Sequence, residues 1–160
     1  MANLCIEILS FLLPVGQTPL HEAAVMNHLD VCKLITNFIK DKNPRCNNGD
    51  SPFHSAAEEG HVEICNFFMD INQKLIPVNN NGDTPFHKAA QKGHMELCNL
   101  FLEEAGSDKN PRNYSGRTPL HIAAKGGYFE LFELIFQYVK VKNPRDNNGW
   151  TPLHIGKSNF

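Results

Sequence analysis

The sequence has little net charge, no apolar run of membrane-spanning length, and none of the short motifs that mark common enzyme chemistries. Its 15 Lys and Arg against 17 Asp and Glu leave a net charge of −2. That gives no general attraction to nucleic acid or to an anionic membrane. A spanning helix needs about 20 predominantly apolar residues in a row, and no stretch approaches this, so membrane insertion is not expected. The N-terminal MANLCIEILSFLLPVG is apolar, but it lacks a basic segment and contains Glu7, which sets it apart from a secretion signal. Without such a signal the tripeptide Asn113-Tyr114-Ser115 reads as a chance glycosylation match. The motifs G-x-x-x-x-G-K-[ST], G-x-S-x-G and H-E-x-x-H are all missing. These absences describe a soluble cytoplasmic chain, with the nucleus left open, that binds no nucleic acid. Charge is nevertheless uneven: residues 1–80 carry 5 Lys and Arg against 9 Asp and Glu, whereas 81–160 carry 10 against 8.

What the chain does have is repetition. TPLHEAAVMNHLDVCKLI starts at Thr18, SPFHSAAEEGHVEICNFF at Ser51, TPFHKAAQKGHMELCNLF at Thr84 and TPLHIAAKGGYFELFELI at Thr118, and TPLHIGKS begins the pattern again at Thr151. The starts lie 33, 33, 34 and 33 residues apart, a period that marks a stacked-repeat architecture. Within a unit, Thr84 before Pro85 reads as a helix start, a hydroxyl cap followed by proline in the first helical position. Gly93 ends this first helix, and Asn27 takes the same place in the first unit. Ala89 and Ala90 allow a neighbouring helix to come close. Met95, Leu97, Cys98 and Phe101 then fall on the buried side of a second helix. Asn-Gly at 48–49, 81–82 and 148–149 marks a tight hairpin. A unit of this size cannot bury its own apolar faces, so the units must stack.

TPLHxAA, G-H and NG-x-TPLH at this period resemble ankyrin repeats, over Gln17 to His154. The resemblance implies an all-α solenoid of helix-turn-helix units joined by hairpin-like loops, organised as one domain. Its parts are a partial N-terminal repeat at 1–17, four repeats at 18–50, 51–83, 84–117 and 118–150, and a truncated repeat at 151–160. Residues 3–13 read as a lone second-type helix. The loops depart from the family pattern: KDKNPR (40–45), SDKNPR (107–112) and KVKNPR (140–145) replace a Gly-Ala-Asp stretch, with KLIPVN (74–79) as the outlier. Proline stiffens these loops. Ankyrin-like loops can also be hydroxylated at the asparagine corresponding to Asn43, Asn110 and Asn143, although the proline that follows replaces the usual alanine. The unfinished last unit points to a longer array, whereas Met1 points to a natural start.

Eight histidines and five cysteines invite a metal reading, which the register opposes. His21, His54, His87, His121 and His154 share one repeat position, and His28, His61 and His94 share another. Cys32, Cys65 and Cys98 share a third, occupied by Phe132 in the fourth unit. Residues repeating with a stack spaced about 8–10 Å apart cannot converge on one zinc, whose ligands lie about 2.0–2.3 Å away. They are equally too far apart for a disulfide. Buried structural thiols are expected, with Cys46 in its hairpin the candidate exposed thiol. A Cys–His catalytic pair would have to occur several times over. The chain is therefore read as non-catalytic, with no cofactor and no metal.

The resemblance implies a protein partner bound through the hairpin tips and the exposed side of the first helices. Those positions are the ones that differ between units. Asp50, Asp83, Arg117 and Trp150 follow the hairpin glycine; Lys88 follows the histidine; Glu58, Glu59, Lys92 and Lys125 follow the alanine pair. They grade from acidic to basic along the array. Tyr114, Arg117 and Trp150 are of the residue types that dominate interfaces, and as hairpin residues they are expected to contribute little to stability. A monomeric scaffold or adaptor is the favoured function. The alternative is a regulatory or targeting part of a larger protein, such as a channel, enzyme or pathogen effector, whose activity lies elsewhere.

Overall fold

The computed structural model describes residues 16–72, 75–104 and 108–157, and the helix expected over 3–13 lies outside them. The described part contains nine helices, four pairs and a single last one. They are α1 Pro19–Val25 with α2 Leu29–Phe38, α3 Pro52–Glu59 with α4 Val62–Ile71, α5 Pro85–Lys92 with α6 Met95–Glu103, α7 Pro119–Gly126 with α8 Phe129–Tyr138, and α9 Pro152–Lys157. First helices pack on first helices along the stack, second helices on second helices, and each pair packs on itself, giving two layers. The expected all-α solenoid is what forms.

The local reasons repeat from unit to unit. Thr84 is extended, with φ −90° and ψ 167°, and its main-chain N–H donates to His87 Nδ1 while its hydroxyl accepts from the His87 N–H. The same reciprocal cap opens α1, α3 and α7. Gly93 ends α5 in the left-handed region at φ 76°, and Asn27 reaches φ 59° at the corresponding place after α1. This lets the chain reverse within two residues into the next helix.

The aliphatic or aromatic residue of each TPxH, Leu20, Phe53, Phe86 or Leu120, is buried between first helices, beside the equally buried Ala56, Ala57, Ala89 and Ala90. Cys32, Cys65 and Cys98 are fully buried in the second-helix layer. Burial raises their thiol pKa, to about 11 for Cys32 and about 12 for Cys98, which keeps them protonated and inert. Phe132, in the same column, is only half-buried because no second helix follows α8 among the described residues. Met95 departs from the expected buried face: as the first residue of α6 it stays exposed, while Leu97, Cys98, Phe101 and Leu102 are buried.

The hairpins are closed turns, with no strand among the described residues. In the one at 79–83, the Asn79 N–H donates to the Asp83 carbonyl (3.0 Å) and the Gly82 N–H to the Asn79 carbonyl (2.9 Å). Each tip is joined to the next by a main-chain bond: Asn80 to Asn48 (3.1 Å), Tyr114 to Asn81 (2.9 Å) and Asn147 to Ser115 (3.0 Å). The tips therefore form a continuous row in register with the helices.

The K-N-P-R loops do more than stiffen the chain. Lys42 Nζ donates to the Ile39 carbonyl (2.8 Å), Lys109 Nζ to the carbonyls of Phe101 and Glu104 (3.4 and 2.5 Å), and Lys142 Nζ to those of Phe136 and Gln137. In each case the ammonium caps the C-terminal end of a second helix, where free carbonyls and the dipole favour a cation. The arginine reaches onward along the stack: Arg45 donates to the Val78 carbonyl (2.5 Å) and Arg112 to the Arg145 carbonyl (2.5 Å).

Candidate interaction surface

Five histidines opening the first helices are the first residues to place. In four of them a main-chain N–H, which can only donate, points at Nδ1, so the ring proton sits on Nε2. Nε2 donates to the carbonyl that ends the next hairpin: His21 to Asp50 (2.9 Å), His54 to Asp83 (2.9 Å), His87 to Arg117 (3.1 Å) and His121 to Trp150 (3.1 Å). Both ring nitrogens are thereby engaged inside the stack. Desolvation lowers the pKa of all four, for His54 to about 4. The second set works differently. His61 Nε2 lies 2.8 Å from the Val25 carbonyl and His94 Nε2 2.8 Å from that of Glu58, tying each second helix to the end of the preceding unit's first helix. No group of three or more potential metal ligands occurs among the described residues. Cys46 is half-buried rather than fully exposed.

Side chains also lock the hairpins to each other. Asn79 Oδ1 accepts the N–H groups of Asn81 and Asp83, and its Nδ2 donates to Asp50 Oδ1 at 2.7 Å. Asn113 does the same one unit on, with its Nδ2 2.8 Å from Asp83 Oδ1. At the next junction the polarity reverses. Asp146 accepts from the N–H groups of Asn148 and Trp150, and Arg117 Nε donates to its Oδ2 at 3.2 Å. Burial works against the Asp146 carboxylate, but these donors together hold its pKa below the usual range. The first unit has Cys46 in this position, which cannot make these bonds.

The sequence-derived surface residues fall into three groups. Asp50, Glu58, Lys88 and Lys92 form one chain of ion pairs across three units: Lys88 Nζ is 2.9 Å from Asp50 and 3.4 Å from Glu58, and Lys92 Nζ is 3.2 Å from Glu58. The acid-to-base gradient is thus partly neutralised within the molecule. Lys88 loses solvation at this site, yet the Asp50 and Glu58 carboxylates raise its pKa.

Asp83, Tyr114, Arg117 and Lys125 come together around a single cleft of about 550 Å³, joined by Gln91 and Ile122. Tyr114, 68% exposed, projects from the tip row at its mouth. Trp150 and Glu59 stand outside this cleft. Trp150 is 48% exposed, with its ring edge-on to His154 at 6.0 Å. Glu59 lies exposed at the end of α3.

One sequence-based expectation fails here. Arg117 is not a dispensable tip residue, because its partner Asp146 has a fully buried side chain; removing the guanidinium would leave that carboxylate short of a donor, at a cost of about 1–3 kcal/mol. The junction pairs were missed in the sequence although a signal was present. Asp50 and Asp83 are each matched by an asparagine at the start of the following hairpin, Asn79 and Asn113, and where Arg117 replaces the aspartate, Asp146 replaces the asparagine.

No helix of the described residues is long and apolar enough to cross a membrane. A family model for ankyrin repeats in three copies matches residues 2–76, 20–113, 69–146 and 106–159, which together run through nearly the whole chain. No curated protein matches the chain. Repeat register, capping pattern and family match agree, and the chain belongs to the ankyrin-repeat family.

Proposed function

We propose that this chain is a non-catalytic interaction module, a scaffold or adaptor, that binds a protein segment along the face made by its hairpin tips and first helices. Ankyrin repeats are generally protein–protein interaction modules and typically non-catalytic, which supports the class of function. The observation that carries the particular reading is the cleft of about 550 Å³ lined by the second hairpin and by the third and fourth units. It is walled by residues that break the repeat, with an aromatic ring (Tyr114), a cation (Lys125) and an aliphatic side chain (Ile122) around one hollow. Residues required only for stacking would recur from unit to unit; these do not. Tyr114, Arg117, Lys125 and Trp150 form the proposed centre of contact, and Asp83, Asp50, Glu58, Glu59, Lys88 and Lys92 its continuation along the array. The module acts as a monomer in the cytoplasm.

A second reading, a regulatory or targeting part of a larger protein, draws support from the apolar face around Phe129, Phe132 and Leu153, where Phe129 and Leu153 are exposed.

The double change Tyr114→Ala with Lys125→Glu tests the contact surface while leaving the Arg117–Asp146 pair in place. Both sites are exposed, so the thermal midpoint should hold, with at most about 0.5 kcal/mol lost per site. Capture of partners from a lysate of the source cell should fall at least ~10-fold, since a desolvated anchor contributes about 2 kcal/mol or more. Unchanged capture would remove this cleft from the interface.

A further inference from the structure

Eight of the 15 Lys and Arg lie in just three loops, 40–45, 107–112 and 140–145. Where the last two of these loops meet, there is a second cleft of about 780 Å³ that shares no lining residue with the first. Lys109, Arg112, Lys140 and Arg145 line it against a single carboxylate, Asp108, and Tyr138, Val141 and Pro144 add apolar wall. The two guanidinium groups are held in place by the main chain: Arg112 Nη2 donates to the Arg145 carbonyl (2.5 Å) and Arg145 Nη1 to the Gly149 carbonyl (2.9 Å). With five N–H donors each, both retain donors for an incoming anion, and their positions are set before it arrives.

The loops also meet differently here than at the first junction. At the first junction, Asn43 and Asn72 exchange two side-chain bonds across the loops (2.5 and 3.2 Å). In the cleft, Asn110 occupies the place of Asn43, but the position equivalent to Asn72 is Val139. Asn110 Oδ1 is buried and has no partner among the described residues. The junction that holds the first two loops together through an asparagine pair is therefore missing here, and the loop cleft is left rich in cationic donors.

We propose that this loop cleft binds an acidic peptide segment: its carboxylates meet Arg112, Lys140 and Arg145, and an apolar side chain rests on Tyr138 and Val141. A peptide presents carboxylate and apolar side chain together; a phosphodiester backbone lacks the second. The row of cations is also short, because the second unit puts Leu75-Ile76-Pro77-Val78 in this loop, so no basic track runs the length of the array for a nucleic acid to follow. This site stands apart from the tip-and-first-helix surface and does not depend on it.

The test uses the full chain and fluorescence polarisation with three labelled probes: a short peptide alternating Glu and Leu, its Lys-and-Leu counterpart, and oligo(U) of matching length. The Glu peptide should bind at least ~10-fold tighter than the Lys peptide, and more weakly as salt rises. Lys140 makes no bond to the described residues and is exposed, so Lys140→Glu should leave the thermal midpoint unchanged and weaken the Glu peptide ~10-fold. Lys33→Glu on α2 makes the same charge change elsewhere and should alter binding less than ~2-fold, as should Tyr114→Ala with Lys125→Glu. Equal binding of the two peptides, tighter binding of oligo(U), an equal loss in Lys33→Glu, or no peptide binding at all would each overturn the proposal.

Discussion

Replacing Phe53 by alanine is expected to lower stability by about 3–5 kcal/mol, the range for emptying a buried aromatic site. Phe53 is fully buried on α3, and its ring centroid lies 6.0 Å from those of both Phe68 and Phe101, the latter 5.5 Å from Phe86. It thus joins the second unit to the third. In a stack where each unit contacts only its neighbours, stability is a sum of unit and interface contributions, and the loss of one interface uncouples the arms on either side. Urea unfolding should therefore show both a lower midpoint and a shallower slope as the transition separates. Phe53→Leu should recover most of the loss, to within about 1.5 kcal/mol of the parent, because the first and fourth units carry Leu20 and Leu120 at this position. Leu153, also in this column but exposed at the last described helix, should tolerate alanine at about 0.5 kcal/mol or less. A Phe53→Ala cost near that of Leu153→Ala would mean that the interface between the second and third units is not a principal source of cohesion.

The unit architecture was legible because it rests on local chemistry stated several times over. Thr-Pro starts, glycine or Asn27 stops and the Asn-Gly turns each have one dominant structural meaning, and the period multiplies the signal. Burial in the first-helix layer followed for the same reason. Long-range pairs within the surface were harder to read. Lys88 reaches Asp50 of the first hairpin, 38 residues away, and no periodicity in the chain announces which of several nearby carboxylates an ammonium will choose. Arg117 looked free from sequence because its partner, Asp146, stands where two other units carry asparagine. The lysine of K-N-P-R was equally opaque: its role depends on a helix ending four to six residues earlier, at carbonyls that no side-chain pattern displays. The candidate surface was therefore legible in its location and only partly in its chemistry, since the residues that vary include both those left exposed and those recruited to hold the tips in register.

Acid should weaken this protein well before its carboxylates titrate. His21, His54, His87 and His121 each accept a main-chain N–H at Nδ1 and donate from Nε2, so each must be neutral for its pair of bonds to form. Burial lowers the folded-state pKa of all four, to about 4 for His54, whereas the unfolded chain titrates near ~6.5. A group depressed in this way binds more protons when unfolded. Its contribution is complete above ~6.5 and declines as pH falls towards the folded-state value. For His54 the gap corresponds to a few kcal/mol at ~1.4 kcal/mol per pH unit, and the other three act in the same direction. Asp146, also depressed, adds its own loss only below about pH 5, where the unfolded carboxyl begins to protonate, so the loss between about pH 6.5 and 5 belongs to the histidines. Urea midpoints measured at closely spaced pH values should be level above about pH 7 and fall steeply between about 6.5 and 4.5. His54→Gln should start from a lower stability at neutral pH but lose less of it on acidification, since one titrating group is gone. A midpoint that stays flat through that window would show that these rings are not held neutral, and the tip-to-helix ties described for them would have to be redrawn.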